Sequence, residues 1–175
     1  CTSPAGKDFW VSSTYQLAGQ IAEMKIQYQF LGDGSFVIHS NFDLADGAKL
    51  PMLPRFGLQM QIPKDYRKLT YLGKGPHENY SDRQLSADVG RYESDILEDY
   101  QMYIRPQESS NRTEVRWFRV SDEQGQGWQF TAVSDLLSFS AWPYTTEDID
   151  NALHTYDLKQ RDLITLNIDH LQMGV

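Results

Sequence analysis

At 175 residues the chain suits one domain and is long enough to bury a real core. Hydrophobic residues at 40% and charged residues at 23% exclude a disordered tail. The formal charge of −8, from 16 basic and 24 acidic residues, excludes a phosphate-backbone partner and leaves no nucleic acid to expect, while no apolar run approaches a membrane span.

Strand patterns dominate the chain. Met24, Ile26, Tyr28 and Phe30 alternate with Glu23, Lys25, Gln27 and Gln29, a period of two that sends one face inward. Gly32-Asp33-Gly34 predicts a turn, after which Phe36, Val37, Ile38 and Phe42 resume as a second strand. Phe56, Leu58, Met60 and Ile62 alternate against Gly57, Gln59 and Gln61. Lys68 to Leu72 predicts a short strand, and Gly73, Gly75 and Pro76 a sharp turn after it. Glu114 to Val120 and Trp128 to Val133 predict a hairpin around residues 122–127, and Leu136 to Ala141 and Leu163 to Ile168 two further strands. The one helix is predicted from Thr145 or Thr146, with Glu147 and Asp148 in its first turn, to about His154. No linker or repeat interrupts the chain, so a single domain over 1–175 is expected, with an antiparallel sandwich as its architecture.

The densest chemistry lies in Gly73-Lys74-Gly75-Pro76-His77-Glu78-Asn79-Tyr80-Ser81-Asp82-Arg83. An imidazole, two carboxylates, an amide, a phenol and a guanidinium fall within seven residues, as ligand-contacting loops often have them. Glycoside hydrolysis needs two carboxyl groups at a set separation, about 5–5.5 Å for retention and wider for inversion. Glu78 and Asp82 offer such a pair; the structural alternative, a bidentate contact from Arg83 that closes the turn, is preferred. His77 and Glu78 would be the nearest acid and base for a mutarotase, but neighbours on an extended segment face opposite ways, so His77 is taken as a solvated loop histidine. His39, His154 and His170 share no metal spacing and Cys1 is isolated, so no metal site is expected. Cys1, the single cysteine, permits no internal disulfide and is read as an arbitrary chain boundary in preference to a lipidated end. Trp10, Trp117, Trp128 and Trp142 could stack on sugars, though Trp117 and Trp128 are expected to pack and Trp142, before Pro143, to be partly exposed. Asn79-Tyr80-Ser81 and Asn111-Arg112-Thr113 fit the glycosylation sequon, which matters only in a secreted eukaryotic protein.

The cluster resembles the G-x-G-P-x-E-N-Y-x-D-R signature in the C-terminal domain of the large bacterial β-galactosidases of glycoside hydrolase family two. Leu53-Pro54-Arg55-Phe56-Gly57, Tyr103-Ile104-Arg105-Pro106-Gln107-Glu108, Arg112 to Trp117, Phe139 to Tyr144 and Leu166 to Val175 are similar to further segments of it, in order. The resemblance implies an all-β fold, the large antiparallel two-sheet sandwich of the galactose mutarotase type, with one short helix. It also implies truncation at both ends. The family's pocket tryptophan follows a G-G-D-x-S-W stretch beyond Met173-Gly174-Val175, and its catalytic glutamates belong to a separate barrel domain. No catalytic residue is therefore carried over, and the substrate-binding candidates are His77, Glu78, Asp82, Arg83 and Trp142. The implied partners are the barrel domain of the parent chain and, through it, a β-galactoside, with a homo-oligomer also open. No cofactor is expected in this fragment; the parent's Mg and Na would sit outside it. A mutarotase-like epimerase and an independent carbohydrate-binding module stand as alternatives, and the compartment stays open between bacterial cytoplasm and periplasm.

Overall fold

The computed structural model describes residues 8–17, 21–49 and 52–172. Chain contacts divide it into two compact units that meet in sequence at Met52 and Leu53. Cys1 and the terminal Met173-Gly174-Val175 match lie outside the described residues.

The first unit is a three-stranded antiparallel meander: β1 (Phe9–Leu17), β2 (Ala22–Phe30) and β3 (Phe36–Leu44), in that order. Its register puts Val11, Tyr28 and Ile38 opposite one another, and likewise Tyr15, Met24 and Phe42, so apolar side chains share one face. Phe30 stacks on Phe9 at 4.6 Å and meets Phe36 at 5.7 Å. The predicted turn is present: Asp33 Oδ1 accepts from Ser35 N and Oγ, and Gly34 takes φ 90, which only glycine reaches without strain. β1 is absent from the sequence reading, because Trp10 beside Val11 and the Ser12-Ser13 pair blur its alternation.

The second unit is an antiparallel sandwich. One sheet has the order β4 (Arg55–Pro63), β11 (Leu163–Gln172), β10 (Leu137–Trp142), β7 (Arg112–Val115). The other runs β6 (Asp88–Asp95), β5 (Lys68–Gly75), β8 (Trp117–Ser121), β9 (Gly127–Thr131). Ile62, Val115, Phe139, Ile164 and Leu166 from the first meet Leu69, Tyr71, Phe118 and Val120 from the second in one buried cluster. The Phe118 and Phe139 rings stack across it at 4.4 Å. Burying each such side chain contributes about 1.5–3 kcal/mol before entropy is counted. The expected all-β, antiparallel architecture with one short helix is found, with residues 9–44 as a third sheet.

Four local expectations change. The strand predicted from Glu114 to Val120 is two strands in different sheets: Glu114 takes φ 50 and the chain bends at Arg116, so β7 pairs β10 while β8 pairs β5. The helix α1 (Thr146–Asn151) stops short of His154, because Ala152 is already extended. Its start is as read: Thr145 Oγ1 accepts from Asp148 N, and Asp148 Oδ2 from Thr145 N. Trp142 is fully buried, not partly exposed, since α1 folds back so that Trp142, Tyr144, Ile149 and Tyr100 form a second core with Leu158. Trp128, expected to pack, is 41% exposed, with its ring 4.5 Å from that of Tyr66.

Candidate functional site

The signature begins inside a strand. Gly73 and Gly75 belong to β5, not to a turn. A Cβ on Gly73 would lie 2.8 Å from Val115 Cγ2, and one on Gly75 2.2 Å from the Tyr71 hydroxyl. Glycine is thus demanded by close packing, against β7 at Gly73 and against tyrosines of its own sheet at Gly75. The turn follows a cis Gly75–Pro76 peptide, and Tyr80 and Arg83 close it by pairing their backbones, Arg83 N to Tyr80 O at 3.0 Å.

Asn79 is the keystone of the loop and is fully buried. Its Nδ2 donates to Lys74 O at 3.0 Å and His77 O at 2.9 Å. Its Oδ1 accepts from Thr113 N at 2.9 Å and Thr113 Oγ1 at 2.6 Å. Every hydrogen-bonding position of the amide is used. The backbones join too, with Asn79 N donating to Asn111 O and Asn111 Nδ2 to Asn79 O, both at 2.9 Å. Both sequon asparagines are therefore buried and closed to a glycan.

Glu78 is also engaged. One oxygen accepts from the Tyr103 hydroxyl and from Arg83 Nη2 at 3.1 Å, the other from Ser110 N. Ser110 presents that N–H from a left-handed conformation, φ 61, which is uncommon outside glycine. Burial, then the hydrogen bond to Glu78, pushes the Tyr103 phenol up. Burial, reinforced by the Glu78 charge, does the same to Tyr80, which is buried beneath the Arg83 guanidinium at 4.4 Å.

The five substrate-binding candidates do not converge. Arg83 holds Glu78 by one nitrogen, not in the expected bidentate fork. Asp82 is exposed and makes no ion pair among the described residues. His77 is exposed and meets Ser86 Oγ at 3.0 Å, away from the partners of Glu78. Trp142 lies in the second core. Among the described residues no group of three or more His, Cys, Asp or Glu is arranged to hold a metal.

Two arginines that sequence reasoning left without a role organise this region. Arg112, 1% exposed, donates to Asp99 through Nη2 at 2.8 Å to each oxygen, to Tyr71 Oη at 3.0 Å and to Asn111 O at 3.3 Å. Burial still outweighs that guanidinium and raises the Asp99 carboxyl. Arg55 on β4 donates to Glu108 Oε1 at 3.0 Å, with Nη2 2.7 Å from Oε2. Arg55 Nε also lies 3.2 Å from Asp169 Oδ2, yet neither Asp169 oxygen receives an aligned hydrogen bond. Both arginines fall in segments that resemble the family, but their role is not legible there, because their partners come from distant segments.

Asp169, 1% exposed, is pushed up to about 7 by burial, with Glu108 adding and Arg55 opposing. The folded state thus holds the proton more tightly than the unfolded chain. Its contribution to stability is complete below the ordinary 3.8 and is lost as pH rises toward about 7. Urea unfolding from pH 5 to 8 should show the wild type losing ground to Asp169→Asn as pH rises, by at most about 1.4 kcal/mol per pH unit. A wild type that gains on the variant with rising pH would show that Arg55 overcomes the burial.

Comparison with known proteins supplies the rest. The family model described as β-galactosidase small chain matches residues 2–175. The chain belongs to the β-galactosidase small-chain family. It is 37% identical over 166 residues to a β-galactosidase of Streptococcus thermophilus, covering 94% of this chain and 16% of the relative. It is 34% identical over 164 residues to one of Halalkalibacterium halodurans, with 93% and 16% covered. A β-galactosidase of Priestia megaterium is 30% identical over 165 residues, again 16% of its length. The chain thus spans about a sixth of the length of these small-chain family relatives.

Proposed function

We propose that this chain is a non-catalytic domain of a β-galactosidase, one that packs against a catalytic barrel and helps shape the sugar pocket while the parent hydrolyses terminal β-galactosides. One observation carries the reading. The signature carboxylate Glu78 is consumed by Tyr103, Ser110 and Arg83, and Asp82 takes no part in that network. A retaining or inverting glycosidase needs two carboxyl groups free to act on one bond; here the signature holds loops together. The names and lengths of the relatives support a parent enzyme several times larger. The parent's Mg and Na belong, on this reading, outside the chain.

A second reading draws on Trp128, whose exposed ring beside Tyr66 could serve an independent carbohydrate-binding module. Calorimetry of the chain with galactose separates the two. The domain reading expects no heat of binding at millimolar sugar. Submillimolar affinity that is lost in Trp128→Ala would replace it with the module.

A further inference from the structure

We propose that the loop tips bearing Leu85 and Ile104 form a docking surface for another domain of the parent polypeptide, one that offers an apolar recess. The inference rests on the reading of the chain as one domain of a larger β-galactosidase. Leu85 and Ile104 are 102% and 93% exposed, and Met102 beside Ile104 is exposed as well. A single exposed leucine is ordinary on any surface. Two apolar side chains held almost wholly in water, on loops that are themselves pinned, are less so.

The pinning is extensive. Arg83, two residues before Leu85, reaches the hydroxyl of Tyr103, the neighbour of Ile104, at 3.4 Å. Tyr103 and Ser110 grip Glu78, and Arg55 holds Glu108. A left-handed Ser110 is strain spent on ordering this stretch. Fixing a loop costs conformational entropy, and the apolar tips recover none of it within this chain. Rigid apolar anchors match the composition of interface centres, where a few large side chains carry most of the binding. Another domain is the favoured occupant because the chain matches only 16% of the length of its relatives, leaving most of their polypeptide to provide it.

The test uses the full-length enzyme that carries this chain. Cysteine is placed at Ile104→Cys and, as a control elsewhere in the same unit, at Val133→Cys, a residue 76% exposed. Reaction with a small thiol reagent is followed by mass spectrometry of the peptide bearing each cysteine. The proposal expects the thiol at 104 to react at least about 100-fold more slowly than that at 133 in the native enzyme, and equally fast in urea. Equal native rates, with the region resistant to protease and required for activity, would overturn the surface while the domain reading stands. Equal rates together with an enzyme that stays active without the region would overturn both. Protection at 104 that vanishes on dilution as the enzyme dissociates would assign the face to a second copy and overturn the proposal.

Discussion

Arg112→Met is expected to cost the fold about 3–5 kcal/mol, because it breaks a buried ion pair from one side. The guanidinium is 1% exposed and fully paired, and Asp99 and Tyr71 Oη would lose this donor, while Asn111 O would keep Asn79 N. Asp99 would remain in a place whose burial already raises its carboxyl. Arg83→Ala provides the contrast. Its side chain is 48% exposed, and Glu78 keeps Tyr103 and Ser110 when Arg83 is gone. That loss should stay under about 1 kcal/mol, as for other exposed pairs. Urea midpoints of the two variants decide the matter. A large loss at Arg83 with a small one at Arg112 would mean that the signature, not β7, anchors the loops.

Asn79→Ala is expected to cost about 2–4 kcal/mol, since the buried Thr113 N–H is orphaned, two part-buried carbonyls lose their donor, and a buried group left unpaired costs about 1–3 kcal/mol. The carbonyls are those of Lys74 and His77, while Thr113 Oγ1 keeps Gln84 Oε1 at 3.2 Å. Asn79→Asp should fare nearly as badly, because a carboxylate has no donor for the two carbonyls. His77→Ala, two positions away and exposed, should change stability by less than about 0.5 kcal/mol. Similar midpoints for Asn79→Ala and His77→Ala would show that the loop is not built on the amide.

Much of this architecture could be read from the chain. The alternation of Met24 to Phe30 and of Phe56 to Ile62, and the Thr145 cap, are local signals, and local signals determine β2, β4 and the start of α1. What stayed hidden depends on distant partners. Gly73 and Gly75 read as turn residues because their reasons, Val115 on β7 for the first and Tyr92 on β6 with the Tyr71 hydroxyl for the second, appear only once the strands are packed together. β6 is an edge strand with exposed Val89, Arg91 and Glu93, so it lacks the apolar period that reveals a buried strand. Trp142 looked surface-bound beside Pro143 because nothing local announces that α1 returns over it. The signature drew attention to Glu78, yet spacing alone could not tell a reactive Glu78 from one held by Tyr103 and Ser110.

Whether these carboxylates do chemistry is measured most directly by turnover of a chromogenic β-galactoside by the purified 175-residue chain. No hydrolysis above buffer is predicted at any pH between 5 and 8, for the wild type and Glu78→Gln alike. Turnover by the wild type that disappears in Glu78→Gln would put an acid or nucleophile in the signature and contradict the structural role assigned to it.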